Sequence, residues 1–434
     1  MYVKLIAAVV ILMNGVVQAA PKIEHWTLSN GARAYFVEAH ELPMLQVSVV
    51  FDAGSMRDTP AKSGLSMLTA AMLSEGAGDL DENQIAERFE SLGAQFGSSA
   101  NREMATVSLR CLAEDKLRAP ALALLTRILT APTFPEANLD RERRRALVGL
   151  QRIKQSPDEL AAKAVMEALY KDHPYGLYPH GSEAGLAAIS RNDLAAFYKQ
   201  YYVGNNALIA IVGDVSTSEA KGIAQDLVGG LPAGARAAPI PPAPDFKQAA
   251  EIKTEYPSAQ SHVLVAAPGM ARNDPDYFPL FVGNYVLGGS GLVSRLSNEI
   301  REKQGLSYSV YSYFNPLKER GPFVMGLQTK NAQRTQALNS MRKTLAEFIE
   351  TGPSEAELGA AKKNLTGGFP LRIDSNNKIA DYLAVIGYYE LPLDYLDRFI
   401  ERVEAVTVPQ VRDAFQRHLD PKRTLTVIVG GNER

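Results

Sequence analysis

Apolar and polar residues alternate through Met104-Ala105-Thr106-Val107-Ser108-Leu109-Arg110-Cys111-Leu112, a period of two that predicts a strand with one face on a core. Similar runs predict strands over residues 46–51, 262–266, 307–314 and 321–329. Elsewhere apolar residues recur every three or four positions. That spacing predicts helices over 63–74, 82–92, 116–129, 138–155 and 157–170, then 277–287, 292–303, 334–351 and 354–366. Strand runs separated by several helices in succession imply an α+β fold, in which helices cover mainly antiparallel sheets.

The prolines and alanines of residues 231–246 (LPAGARAAPIPPAPDF) interrupt both periods. Proline removes backbone donors and favours extended chain, so this stretch reads as an exposed linker between a first half, 21–230, and a second half, 247–434. The ends of the halves align without a gap at a constant offset of 217 residues. Ile189, Ser190, Leu194, Tyr198, Leu208, Val212 and Gly213 fall on Val406, Thr407, Val411, Phe415, Leu425, Val429 and Gly430. In both, a short helix leads into an apolar strand that ends at glycine, which implies an internal duplication.

Residues 1–20 read as an export signal. Lys4 precedes the apolar run 5–13, and Val17 and Ala19 are the small residues before a cut expected after Ala19. The run is too short to span a bilayer, so no stable membrane insertion is expected, and the lack of a twin-Arg pair points to a periplasmic home. Cys111 is the single cysteine, on a predicted strand, and reads as a buried inert thiol. A net charge of −2 argues against nucleic acid as a partner.

The predicted helix over 63–74 lies in the segment GLSMLTAAMLSEG, residues 64–76, where Leu65, Leu68, Met72 and Leu73 suit a core face. Around it, FDAGSMRD (51–58), Leu92-Gly93-Ala94, His173-Pro174-Tyr175-Gly176 and Asn205-Asn206 up to Gly213-Asp214 stand in a fixed order. The second half carries Leu287-Gly288-Gly289, Ser294-Arg295-Leu296 and EIREKQGLSY (299–308). Gly288, Gly289 and Gly291 lack the Gly-Lys-Ser/Thr of a phosphate loop and follow a predicted helix. In this order and spacing the chain resembles the pitrilysin (insulinase) type of zinc metallopeptidase, in the branch of the mitochondrial processing peptidase subunits.

The resemblance implies a clamshell, of which this chain is one half, enclosing a peptide chamber. Catalytic members carry H-x-x-E-H, two histidines that bind zinc and a glutamate that activates water. Here Met67, Ala70 and Ala71 occupy those positions, and Val148 or Gly149 the position of the third ligand. None can ligate, and the six histidines (His25, His40, His173, His180, His262, His418) include no pair four apart. The expectation is that this chain binds no zinc. What the resemblance retains is Arg301 and Tyr308, seven residues apart, which in the family donate hydrogen bonds beside the scissile peptide bond. Gly288, Gly289, Ser294 and Arg295 are the corresponding substrate-binding stretch. The implied function is that of a zinc-less subunit in a periplasmic heterodimer. The partner supplies zinc and H-x-x-E-H, and peptides bind as an added edge strand. The alternative is a non-catalytic scaffold or peptide-binding subunit of an envelope complex.

Overall fold

The computed structural model describes residues 21–431, so the expected export signal, with Lys4 and the cut after Ala19, lies outside the described residues. The strands in chain order are β1 (Glu24–Thr27), β2 (Arg33–Glu38), β3 (Met44–Phe51), β4 (Gly76–Ala77), β5 (Leu80–Asp81), β6 (Gln95–Ala100) and β7 (Ala105–Leu112). They continue with β8 (Ala207–Gly213), β9 (Ala250–Glu255), β10 (Gln260–Pro268), β11 (Val310–Phe314), β12 (Pro322–Lys330) and β13 (Leu425–Gly430). One six-stranded sheet has the order β1-β2-β8-β3-β7-β6 and a five-stranded sheet the order β11-β12-β10-β13-β9, while β4 and β5 pair only with each other. All neighbours are antiparallel except β2 with β8 and β13 with β9.

Burial follows the alternation read from the sequence. In β7, Ala105, Val107, Leu109 and Cys111 are buried and the residues between them are not. In β3 and β8, by contrast, nearly every residue is buried, because helices cover both faces of these central strands. Val49 of β3 lies opposite Val107 of β7 on one side and Ile209 of β8 on the other.

The 217-residue offset reappears in three dimensions. Helices Arg191–Tyr201 and Val408–His418 coincide at both ends under it, and residues 208–213 fall on β13. Each of these helices opens with a capping box, Ser190 with Asp193 and Thr407 with Gln410, whose side chains satisfy backbone N–H groups at the first turn.

The halves also exchange helices. Helix Pro157–Tyr170 of the first half packs on β10 and β13 of the second sheet, and helix Asn376–Tyr388 of the second half packs across β8, β3 and β2. Val165 and Leu169 share a core with Leu264, Val427 and Val429, and Leu383 and Ile386 share one with Val37, Val50 and Ala210. Burial of each such side chain stabilises the fold by about 1.5–3 kcal/mol, so the interface is a true core.

One expectation needs qualifying and three need correction. The linker is exposed over most of its length, but it is also a strap pinned along the seam, where Leu231, Ile240 and Ala243 are buried. Arg57 donates to the Ala238 carbonyl (2.6 Å), His173 to that of Pro241 (2.8 Å) and Arg320 to that of Ala243 (3.1 Å). Proline carbonyls remain good acceptors even where the N–H is gone. The helix predicted over 292–303 is broken, with a short turn at Gly291–Val293, an extended Ser294 and a wide helical turn at Ser297–Glu302. Helix Tyr277–Asn284 likewise passes into a wide turn at Tyr285–Gly289, and the strand predicted from 307 begins only at Val310.

Candidate functional site

The helix in the first half that carries Met67, Ala70 and Ala71 spans Leu65–Met72. Gly64 at its N-cap has φ +102°, a left-handed conformation that favours glycine. The buried carboxylate of Asp58 accepts from the Gly64 and Ser66 N–H groups, each at 2.8 Å, and so caps the helix from outside it. Burial pushes that carboxyl up to about 7. Ala70 is fully buried, Met67 packs partly buried against the first-half core, and Ala71 is half-buried. Helix Glu136–Ile153, which carries Val148 and Gly149, lies alongside.

Among the described residues, the carboxylates beside this helix are already engaged. Glu75 is held by Asn138 (2.9 Å) and Arg141, and Glu142 by Arg145 (2.7 Å). The residues at the four aligned positions offer no imidazole, carboxylate or thiolate, so they do not fit a zinc ion. Among the described residues the one cluster with metal-ligand spacing is Asp274, Asp276 and His418 in the second half. Arg417 forks onto Asp276 at 2.9 and 2.7 Å there, so the set is balanced by its own cation.

Beside this helix runs β6, the outer strand of its sheet, paired only with β7. The Ser98 hydroxyl donates to the Ala70 carbonyl at 2.8 Å, tying the strand to the helix. Its sequence, QFGSSA, has no charge or proline, the usual devices that block strand addition at an edge.

Arg301 and Tyr308 meet in the second half. The Arg301 guanidinium lies 4.6 Å from the centre of the Tyr308 ring, a cation–π contact worth about 0.5–1 kcal/mol when exposed. Tyr308 is 84% exposed, and neither polar group has a hydrogen-bond partner among the described residues. The nearest carboxylate to Arg301 is Glu302, at 3.4 Å. Arg301 sits on the wide turn Ser297–Glu302, and Tyr308 is in the loop before β11, not in the strand.

The neighbouring stretch divides in two. Gly288 is buried where β11 passes so closely that a side chain would strike the Ser312 backbone, and Asn284 and Ser312 hydrogen-bond across the gap at 3.1 and 2.7 Å. Gly289, Leu292 and Val293 are exposed. Ser294 is buried and donates to the Gly291 carbonyl (2.7 Å). Arg295 forks onto Glu357 at 2.6 and 2.7 Å, donates to the Gly352 carbonyl (2.9 Å) and covers the Phe348 ring. Its Nε and Nη2 donors are used inside the chain, and the pairing holds the Glu357 carboxyl down at about 2. Gly289 is therefore open to solvent, whereas Ser294 and Arg295 hold the loop.

Periodicity gave no sign of a polar knot on the seam. Buried Glu103, on the turn between β6 and β7, accepts from the Tyr389 hydroxyl (2.6 Å), the Lys318 backbone N–H (2.8 Å) and the Tyr175 hydroxyl. His173 uses both ring nitrogens locally, accepting from Tyr175 N–H (3.1 Å) and donating to the strap. Cys111 is buried in β7, which pushes its thiol up to about 11 and leaves it a poor nucleophile.

Comparison with known proteins matches these features. Family models described as "Insulinase (Peptidase family M16)" and "Peptidase M16 inactive domain" match residues 36–179 and 188–365. A Bacillus subtilis relative named "Uncharacterized zinc protease YmxG" is 26% identical over 90% of this chain and 94% of its own. The Helicobacter pylori "Non-peptidase homolog YmxG" is 25% identical, with 92% of each chain covered. The solved "peptidase M16 inactive domain" from Pseudomonas fluorescens is 39% identical, with a TM-score of 0.91 over 94% of this chain and 98% of that one. The periplasmic protease PqqL from Escherichia coli shares the fold (TM-score 0.79, 19% identity), with 95% of this chain covering 46% of that chain.

Proposed function

The chain belongs to peptidase family M16, and from that premise we propose that it is the zinc-less subunit of a heterodimeric periplasmic metallopeptidase. The carrying observation is the contrast between its two former site regions. The zinc positions hold no histidine or carboxylate, while Arg301 and Tyr308 meet, the phenol exposed and the guanidinium paired only with its neighbour Glu302 (3.4 Å). A chain that fits about half of a larger M16 fold supports pairing with a second chain of like size. The domains are taken as 21–230 and 247–434, joined by the strap at 231–246.

In this reading the partner carries H-x-x-E-H, whose residues would hold a zinc ion that would supply Lewis-acid activation of water. This chain's guanidinium and phenol donate hydrogen bonds to the peptide carbonyl as negative charge develops on its oxygen. Gly289 and the exposed Leu292 and Val293 line the peptide path. An extended peptide adds to β6, whose free edge offers main-chain donors and acceptors. The name "non-peptidase homolog" borne by the H. pylori relative supports inactivity of such a chain by itself. It equally suits a scaffold, which is the outcome the test must separate.

The test is gentle purification of the tagged mature chain from the periplasm of its own host, with mass spectrometry of what accompanies it. A stoichiometric partner of similar size carrying H-x-x-E-H is expected. Recovery alone, or with unrelated envelope proteins, overturns the split-site reading in favour of the scaffold.

A further inference from the structure

Between the halves, beside the strap, lies a cavity of about 140 Å³ lined by Arg236, Arg272, Asn273, Lys318, Tyr388, Tyr389 and Glu390. Arg272 is its unusual member. Its guanidinium lies over the rings of Tyr277 (4.7 Å) and Tyr395 (5.7 Å), and it donates to their hydroxyls at 2.7 and 3.2 Å. Those are two of five N–H donors, both given to neutral phenols. Its Nε is buried without a hydrogen-bond partner, and no carboxylate pairs with it among the described residues.

The surroundings do not supply the missing charge. Arg33 and Arg236 share Glu390, the former at 3.4 Å. Arg57 and Lys318 share Asp52, at 2.7 and 3.0 Å. With Arg272, and counting buried Glu103, that makes five cations against three carboxylates. The remaining acid, Glu103, accepts from two phenols and the Lys318 backbone rather than from any of these side chains. Burial of an unpaired cation is costly, so such groups are ordinarily paired. The cavity wall brings three positive side chains to one small space, from the strap (Arg236) and from two segments of the second half (Arg272, Lys318).

We propose that this interdomain cavity is a binding site for one compact inorganic oxyanion of the phosphate class, held by Arg272, Arg236 and Lys318. A guanidinium fork presents parallel donors that match tetrahedral oxygens, and two of them with an ammonium surround such an ion. The volume accommodates a free oxyanion. The bound ion links strap and second half beside the exchanged helix, independently of the peptide site.

The probe is inorganic phosphate, titrated calorimetrically into the full mature chain at ionic strength fixed with sodium chloride. The expected result is saturable one-to-one binding that Arg272→Gln weakens at least tenfold, with Arg272→Lys retaining part of the affinity. Arg236 is half-exposed at the rim, so Arg236→Gln keeps the test open if the Arg272 variant misfolds; it too is expected to weaken binding severalfold. Absence of saturable heat in the wild type overturns the site. So does an affinity that neither Arg272→Gln nor Arg236→Gln changes, which would mark non-specific ion association.

Discussion

The two halves descend from one pattern yet treat the corresponding ground in opposite ways. In the first half, the helix that in catalytic relatives holds the metal is absorbed into structure. Asp58 caps it, Ala70 is sealed beneath Ser98, and Met67 packs on the core. In the second half, wide helical turns flank an exposed glycine-containing loop, and Arg301 stands over a tyrosine ring that nothing covers. Wide turns interrupt the regular hydrogen-bond ladder and are frequent at functional sites. Once the metal ligands are gone, ordinary packing is the cheapest use of a helix. A guanidinium paired only with the adjacent Glu302 and a phenol without a partner, in contrast, gain little for stability at the surface. Their display is what a shared site requires.

The largest expected effects probe the scaffold both halves share. Leu383→Ala, in the helix lent to the first sheet, should destabilise the chain by about 2–5 kcal/mol, and Leu169→Ala, in the reciprocal helix, by a similar amount. Chemical denaturation measures both, and a large cost at only one would break the symmetry of the exchange. In the proposed complex, Arg301→Ala should lower turnover roughly a hundred- to a thousandfold, as loss of one oxyanion donor typically does, and Tyr308→Phe should lower it too, with melting temperature unchanged. Steady-state kinetics on the complex reads this, and full turnover in both variants would discard the shared site. Asp58→Ala should cost about 0.5–2 kcal/mol by uncapping the first-half helix. Equilibrium unfolding of wild type and variant gives that difference directly.

The smallest effect concerns the ion pair that fixes the second-half loop. Arg295 holds Glu357 below its ordinary value of 4.5, at about 2, so this pair stabilises the fold above the unfolded value and is lost as pH falls through about 2. The group is partly solvated, so the contribution is under about 1 kcal/mol. Glu357→Gln should flatten that part of the acid limb, as followed by unfolding at a series of pH values between 5 and 2.

Much of the fold was legible because it is periodic. The capped helices at 191–201 and 408–418, the alternating β7 and the duplication offset all depend on residues near one another in sequence. The failures depend on distant partners. The period of three and four runs on through 292–303, but the close pass of β11 at Gly288 and the extended Ser294 break the helix. The strap is composed like a free linker, yet Arg57, His173 and Arg320 seize its carbonyls. At the site, the absence of ligands at Met67, Ala70, Ala71 and Gly149 was visible at once, since side-chain chemistry needs no coordinates. The facing of Arg301 and Tyr308 was not, because the residues between them read as a helix running into a strand. Nor was the inward fork of Arg295, whose partner Glu357 lies on a separate helix.

The central claim is that one active site is divided between two chains. Its most direct measurement is hydrolysis of a peptide mixture by this chain alone, by its co-purified H-x-x-E-H partner alone, and by the two together. The account predicts little turnover from either chain and strong turnover from the stoichiometric mixture, abolished in large part by Arg301→Ala. Full activity of the partner alone, unchanged when this chain is added, would contradict it.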